Sequence, residues 1–131
     1  MYLLCQNIND MKKILIVDDE PNIVMSLEYT FKKQNFEVFI ARDGMEALEI
    51  LKNQLPDVII LDIMMPLVDG FETLQKIKSN DQLRHCKVIF LSAKNKESDI
   101  EKGLSLGADA YLTKPFSIKK VVDQVNELLP K

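Results

Sequence analysis

The chain has 131 residues, of which 47% are hydrophobic and 28% charged, and its formal net charge is −3. This length and composition fit one globular domain with an ordinary core and exclude a disordered chain. The acidic balance gives no electrostatic footprint for nucleic acid, and no apolar run approaches the roughly 18 residues that span a bilayer. We therefore expect a cytoplasmic protein that neither contacts nucleic acid directly nor enters a membrane.

The N-terminus and the cysteines add two expectations. Cys5 and Cys86 are far apart and lack the spacing of metal ligands, which predicts no disulfide framework and suits a reducing compartment. The first ten residues lack the basic and apolar regions of a signal peptide. Because "MKKILIVDDE" at Met11 reads as a beginning, we interpret residues 1–10 as a tail, either an upstream extension or a start-site artefact. The folded domain is predicted to occupy residues 11–131.

Short apolar runs rich in β-branched and aromatic residues recur along the chain, as is typical of strands. Three of these runs are almost continuously apolar, which is the pattern of parallel strands covered on both faces. In chain order, the predicted strands are Lys13–Asp18, Phe36–Ile40, Val58–Asp62, Val88–Ser92 and Ala110–Thr113.

Helical patterns fill the intervals between these strands. Most begin with a residue that favours a helix start, either proline in the first turn or a capping side chain. The helix-start signals are Pro21, Asp43 with Glu46, Asp69 with Glu72, and Ser117. A weaker helical pattern runs from Ser98 to Leu106 and contains Gly103.

The alternation of five strands with five helices predicts an α/β domain with a doubly wound parallel sheet. Right-handed crossovers place helices on both faces, and we expect the flavodoxin-like strand order 2-1-3-4-5. Ligands bind beyond the carboxyl ends of the strands in such sheets. Residues at the strand ends are therefore the first candidates for a functional site.

Polar residues stand at the ends of the four strands that this order makes contiguous. The first predicted strand runs into the acidic residues 18–20, the third ends in Asp62, the fourth ends in Ser92, and Lys114 follows the fifth. Two unit charges about 4 Å apart repel by ~4 kcal/mol at an effective dielectric of ~20, so carboxylates that converge there imply a cation. Oxygen ligands favour a hard ion, and Mg²⁺ fits best, with Mn²⁺ as an alternative.

These groups match the needs of a phosphoryl group. A metal ion, the ammonium of Lys114 and the hydroxyl of Ser92 would together stabilise three phosphoryl oxygens. The carboxylate of Asp62 could then act as the nucleophile, because aspartate forms acyl phosphates.

Four segments make the chain recognisable: "ILIVDDE", "VIILDIMMPLVDG", "VIFLSAK" and "YLTKPF". They occur in order and at suitable intervals between about Met11 and the C-terminus. With them the chain resembles the response-regulator receiver domains of two-component signal transduction. Each segment alone is a weak signal, whereas the four together are a strong one.

The resemblance implies a metal site and a phosphoacceptor. Asp19, assisted by Asp18, would bind Mg²⁺ together with Asp62 and the backbone carbonyl of Met64. Asp62 would take a phosphoryl group from the phosphohistidine of a sensor histidine kinase or a phosphotransfer protein, so the chain would be a phosphoprotein of a phosphorelay.

The resemblance also implies a switch. Lys114 would pair with the phosphoryl group, and its peptide bond to Pro115 is expected to be cis. Ser92 would turn toward the phosphate, and Tyr111 would move inward behind it. The surface of the fourth helix, fifth strand and fifth helix would then report the change to a downstream protein or output domain, and a homodimer that depends on phosphorylation is left open.

Met64 and Lys94 flank the path of water to the phosphorus in this family. Because the apolar Met64 offers no group that orients a water molecule, we predict a long-lived phosphorylated state.

Three other functions use similar residues or the same fold. An aspartyl-phosphate phosphatase would need a second acid two residues after Asp62, where this chain has Met64. A phosphate-independent binding module would not need the complete set of acidic, hydroxyl and basic residues, and flavin binding would need a phosphate loop after the first strand. The segment "GLSLG" matches the G-x-S-x-G pattern of hydrolases, but a helical pattern precedes it instead of a strand. We therefore predict a phosphoacceptor switch and not an enzyme that acts on other molecules, either free-standing or at the front of a longer regulator.

Overall fold

The protein is built around one parallel β-sheet. The structure is a computed structural model that describes residues 11–64 and 69–130. The strand order is β2-β1-β3-β4-β5, and all neighbouring strands are parallel. The predicted doubly wound fold and its strand order are therefore confirmed. The strands are β1 (Lys13–Val17), β2 (Glu37–Ala41), β3 (Val58–Asp62), β4 (Lys87–Ser92) and β5 (Ala110–Thr113).

Five helices alternate with the strands in the described residues, as predicted. The weak fourth pattern does form a helix, which begins and ends one residue earlier than expected. The helices are α1 (Pro21–Lys33), α2 (Gly44–Ile50), α3 (Gly70–Lys78), α4 (Glu97–Ser105) and α5 (Ile118–Leu128). The described helices include none that is long and apolar enough to span a bilayer.

Capping side chains fix the starts of three of these helices. Asp43, Asp69 and Ser117 each accept a hydrogen bond from the backbone N–H three residues further along the chain. Helix α1 differs, because it begins at Pro21 and its N-cap residue, Glu20, makes no capping bond with its side chain. The carboxylate of Glu20 therefore remains available for another partner.

Alternate residues of each strand point to opposite faces of the sheet and build two apolar clusters. Leu15 of β1 packs with Phe71 of α3 on one face, whereas Ile14 packs with Phe31 of α1 and Val125 of α5 on the other. The sheet is thus covered on both sides, and every residue of β3 is buried. The carboxyl ends of its strands bring Asp18, Asp62 and Ser92, all buried polar residues, to one edge of the sheet.

The register of the sheet brings these ends level with one another. Asp62 of β3 lies opposite Leu91 of β4, and Ser92 of β4 lies opposite Thr113 of β5. Because parallel strands end on the same edge, residues that follow each strand share one crevice.

Two other features of the sequence take structural roles. Ser105 of the "GLSLG" segment is the last residue of α4 and donates a hydrogen bond to the Lys102 carbonyl, so no strand-to-helix turn presents it as a nucleophile. Cys86 is a buried free thiol just before β4. Cys5, the predicted tail 1–10 and residues 65–68 of the third-strand motif lie outside the described residues.

Candidate functional site

Side chains from four strand ends meet at the carboxyl edge of the sheet. Asp18 follows β1 directly and is 1% exposed, and Asp62 ends β3 and is 3% exposed. Ser92 ends β4 and is also buried, while Lys114 follows β5 with a largely buried side chain. The structure therefore brings together most of the residues that the sequence predicted for the site.

The ammonium of Lys114 lies among three carboxylates. Its Nζ is 2.6 Å from Glu20 Oε1, 3.3 Å from Asp18 Oδ2 and 3.4 Å from Asp62 Oδ2. One cation thus faces three acids, and the closest of the three is the exposed Glu20. The site carries an excess of negative charge within a short distance.

Burial and charge shift the proton affinities of these groups. Burial, reinforced by the neighbouring charge of Asp18, raises the pKa of Asp62 to about 6, although Lys114 and the Met64 N–H oppose the shift. Burial likewise raises the pKa of Asp18. Burial alone would lower the pKa of Lys114, but its hydrogen bond to Glu20 and the charges of Asp18 and Asp62 raise it. The charge of Lys114 alone therefore does not offset the burial of the two aspartates, whose pKa values stay raised.

The donor set fits a hard divalent cation. Carboxylate oxygens of Asp18, Glu20 and Asp62 all lie within 4.8 Å of one another. Asp18 Oδ2 is buried and has no hydrogen-bond partner among the described residues, even though Lys114 is nearby. A buried carboxylate oxygen without a partner is costly, and an ion with oxygen ligands would satisfy it.

The structure places Asp19 and Glu20 differently, and the sequence did not predict which of them lies near Asp18 and Asp62. Asp19, a predicted metal ligand, is exposed and is not among the three carboxylates that approach one another. Glu20 belongs to this group although sequence analysis gave it no role. The only sequence signal for Glu20 was its position in the acidic run 18–20.

The turn after β3 holds Asp62 in place. The Met64 N–H donates to Asp62 Oδ1 over 3.1 Å, while the side chain of Met64 is 56% exposed. The Gly70 N–H donates to the Ile63 carbonyl, and a Cβ added at Gly70 would lie 2.6 Å from Ile63 Cα and 2.7 Å from the Asp62 carbonyl oxygen. Gly70 therefore permits a close approach of α3 to the site, which sequence analysis did not predict.

A chain of hydrogen bonds links Ser92 to Tyr111. Ser92 Oγ accepts from the Lys94 N–H over 2.9 Å, and the Tyr111 O–H donates to the Lys94 carbonyl over 2.8 Å. The ring of Tyr111 packs edge-on against Phe90, with centroids 5.9 Å apart. The peptide bond between Lys114 and Pro115 is cis.

The family model described as "Response regulator receiver domain" matches residues 14–126. The chain belongs to the response-regulator receiver family. Receiver domains are signalling domains that act with histidine kinases and output domains, and they bind Mg²⁺ at an acidic pocket such as the one formed here by Asp18, Glu20 and Asp62.

Relatives of this receiver domain occur alone and within longer proteins. The chain is 42% identical over 118 residues to the alkaline phosphatase synthesis transcriptional regulatory protein PhoP of Bacillus subtilis, and the match covers 90% of this chain and 48% of PhoP. The chain thus spans about half the length of this curated relative. It shares 30% identity with the chemotaxis protein CheY4 of Vibrio cholerae, with a TM-score of 0.85 over 91% of this chain and 99% of CheY4. For the Francisella response regulator 1452 receiver domain, the identity is 37% and the TM-score 0.83, over 89% and 95% of the two chains.

Proposed function

We propose that Asp62 is the phosphoacceptor of a His–Asp phosphorelay and that it receives its phosphoryl group from a sensor histidine kinase or a phosphotransfer protein. The observation that carries this proposal is the position of Asp62 within a receiver domain. It is a buried carboxylate at the end of β3, with a second carboxylate and the Lys114 ammonium beside it. An aspartate with only a structural role would not be stabilised by burial beside a second carboxylate.

The transfer balances without a further reactant. An ionised Asp62 oxygen attacks phosphorus, the P–N bond to the donor imidazole breaks, and the imidazole nitrogen keeps the electron pair and takes up a proton from water. Since the pKa of Asp62 is raised to about 6, its carboxylate is mostly ionised at neutral pH. The Met64 N–H orients Asp62 Oδ1, which leaves Oδ2 on the side of Lys114.

The acidic residues are proposed to hold Mg²⁺, with Mn²⁺ as an alternative. Asp18, Asp19, Asp62 and the backbone carbonyl of Met64 are the expected ligands. The bound ion would neutralise charge on the phosphoryl oxygens. Asp18 supports this proposal, because its buried Oδ2 accepts no hydrogen bond from the described residues and a divalent ion would satisfy it.

Lys114, Ser92 and Tyr111 are proposed to convert phosphorylation into a change of surface. Lys114 would pair with one phosphoryl oxygen, and the Ser92 hydroxyl would donate a hydrogen bond to another. The shift of Ser92 would act on Lys94, whose N–H and carbonyl contact Ser92 and Tyr111. The surface of α4, β5 and α5 would thereby change its affinity for a downstream protein or an output domain.

The relatives indicate where such a signal could go. PhoP is named a transcriptional regulatory protein, and DrrB of Thermotoga maritima, whose full chain is only 52% covered by this one, is described as an OmpR/PhoB homologue. We propose that this receiver domain acts in the cytoplasm, does not contact nucleic acid itself, and works either alone or ahead of an output domain. A homodimer formed on phosphorylation would use the same surface.

Acetyl phosphate with Mg²⁺ provides a direct test. We expect wild-type protein to gain one phosphoryl group, detected by intact mass and by retardation on a phosphate-affinity gel, and Asp62→Asn to gain none. The control is Asp81→Asn, which removes an exposed aspartate and should behave as wild type. Labelling of Asp62→Asn, or no labelling of wild type by acetyl phosphate or by a phosphorylated kinase, would contradict the proposal.

A further inference from the structure

The contact between Glu20 and Lys114 is the shortest that the Lys114 ammonium makes in the described part of the chain. Glu20 Oε1 lies 2.6 Å from Nζ, whereas the nearest oxygens of Asp18 and Asp62 lie at 3.3 and 3.4 Å. A charge-assisted hydrogen bond is strongest at the shorter distance. The ammonium therefore lies closer to the exposed carboxylate of Glu20 than to that of the proposed phosphoacceptor, Asp62.

Glu20 is well placed to hold this cation. Its backbone N–H donates to Asp18 Oδ1 over 2.9 Å, which fixes the main chain beside the site. Its side chain is 56% exposed and makes no capping bond to α1, so its carboxylate keeps contact with water while it faces Lys114. Lys114, by contrast, has a side chain that is only 14% exposed and depends on nearby acids to remain buried and charged.

We infer that Glu20 is a positioning residue that holds Lys114 away from Asp62 before phosphorylation and competes with the phosphoryl group for the same ammonium. This inference rests on the proposed role of Asp62, and it assigns a function to Glu20, which is not among the proposed Mg²⁺ ligands although its carboxylate lies near those of Asp18 and Asp62. When a phosphoryl group forms on Asp62, Lys114 must leave Glu20 to reach it. Glu20 thus sets how readily the site accepts a phosphoryl group.

Removing the charge of Glu20 should strengthen the binding of a phosphoryl group or its mimic at Asp62, for two reasons. Glu20→Gln weakens the contact that Lys114 must break, and it removes one negative charge near an incoming anion. Partly exposed ion pairs contribute little each, so we expect the affinity for a phosphoryl mimic to rise by about threefold.

The first measurement is a beryllofluoride titration at saturating Mg²⁺, followed by ¹H–¹⁵N spectra, since beryllofluoride mimics a phosphoryl group on a carboxylate. Glu20→Gln should bind beryllofluoride about threefold more tightly than wild type. Glu28→Gln is the matched control, because Glu28 lies in α1, the helix that Glu20 precedes, and pairs with a lysine, Lys32, over 2.9 Å. Its affinity for beryllofluoride should equal that of wild type.

The second measurement observes Lys114 directly in the absence of any metal ion. A hydrogen-bonded lysine ammonium exchanges slowly with water and gives a ¹⁵Nζ signal, which Lys114→Met identifies by its loss. We expect this signal in wild type and in Glu28→Gln, and we expect it to shift or broaden in Glu20→Gln. A role of Glu20 in stability alone would not change the Lys114 signal selectively.

The outcomes separate this inference from the proposed function. Equal or weaker beryllofluoride binding by Glu20→Gln, or an unchanged Lys114 signal, would overturn the inference while Asp62 remained the phosphoacceptor. A Mg²⁺ titration without beryllofluoride completes the test, because a large loss of Mg²⁺ affinity in Glu20→Gln would make Glu20 a metal ligand and reject the inference. If wild type neither binds beryllofluoride nor takes up a phosphoryl group, both the inference and the proposed function are rejected.

Discussion

Asp62 is the residue at which the needs of folding and of chemistry conflict most directly. Its carboxylate is 3% exposed, lies near the buried Asp18, and pairs with Lys114 over 3.4 Å. The strand-end position was predictable from the sequence because parallel strands end on one edge and "VIILD" runs straight into the acid. The local geometry of the acidic residues 18–20 was not predictable from the sequence. Whether Asp19 or Glu20 faces the site depends on the backbone path from β1 into α1, which a local sequence pattern does not determine.

The burial of Asp62 predicts a stability that depends on pH. Its pKa is about 6 in the folded protein against an ordinary value of 3.8, so the folded state binds the proton more tightly than the unfolded chain. The resulting stabilisation is fully present below about pH 4 and is lost as the pH rises through about 6. We therefore expect Asp62→Asn to raise the free energy of unfolding by on the order of 2 kcal/mol at pH 7, in the presence of a chelator, and by much less at pH 4. Urea unfolding followed by circular dichroism measures this, and an equal gain at both pH values would contradict it.

Met64 supports a prediction about the lifetime of the phosphorylated state. Met64 is 56% exposed, its N–H donates to Asp62 Oδ1, and its side chain carries no group that could orient water. We expect Met64→Glu to speed the loss of the phosphoryl group by about tenfold, which is below the range typical of a full general base. Decay of the phosphorylated protein on phosphate-affinity gels measures the rate. Met25→Glu, at an exposed methionine of α1, is the control, and equal decay in the two variants would reject the role of Met64.

At the scale of the elements, capping side chains and apolar spacing determine where most helices begin. Asp43, Asp69 and Ser117 were recognised as caps, and each makes the expected bond to the backbone. Helix α4 gave the weakest pattern because Gly103 interrupts it. The reason for that glycine is tertiary, since a Cβ there would lie 3.0 Å from the rings of both Phe90 and Tyr111. Contacts between elements of this kind are not visible in a local sequence pattern.

Helix α3 depends on a second glycine whose role is also tertiary. A Cβ at Gly70 would lie 2.6 Å from Ile63 Cα and 2.7 Å from the Asp62 carbonyl oxygen, both of which are backbone atoms that cannot rotate away. We expect Gly70→Ala to lower the free energy of unfolding by about 1–3 kcal/mol and to weaken beryllofluoride binding, because the turn that carries Asp62 must shift. Urea unfolding and ¹H–¹⁵N spectra test both effects. Stability within about 0.5 kcal/mol of wild type would show that the turn adapts without cost.

At the scale of the whole molecule, the alternation of strands and helices was sufficient to predict the topology, because handedness and the need to cover both faces leave few arrangements. The same logic placed Ser92 and Lys114 at the edge that carries Asp62. The link from this edge to the surface of α4, β5 and α5 was expected only from the family resemblance. Its proposed route includes the hydrogen bond between Tyr111 and the Lys94 carbonyl, which joins two positions 17 residues apart in sequence.

This proposed link predicts which segments change when beryllofluoride binds at the site. Beryllofluoride should draw the Ser92 hydroxyl toward Asp62 and disturb its bond with the Lys94 N–H, so the change should pass to Tyr111. We expect hydrogen–deuterium exchange to change in the segment from Ser92 to the start of α4 and in β5, and to stay constant in β1, which lies in the core. Ser92→Ala should still bind beryllofluoride but lose most of the change in β5, because it lacks the hydroxyl that responds to the ligand. If β5 responds equally in Ser92→Ala, the signal reaches this surface by a path that does not include Ser92.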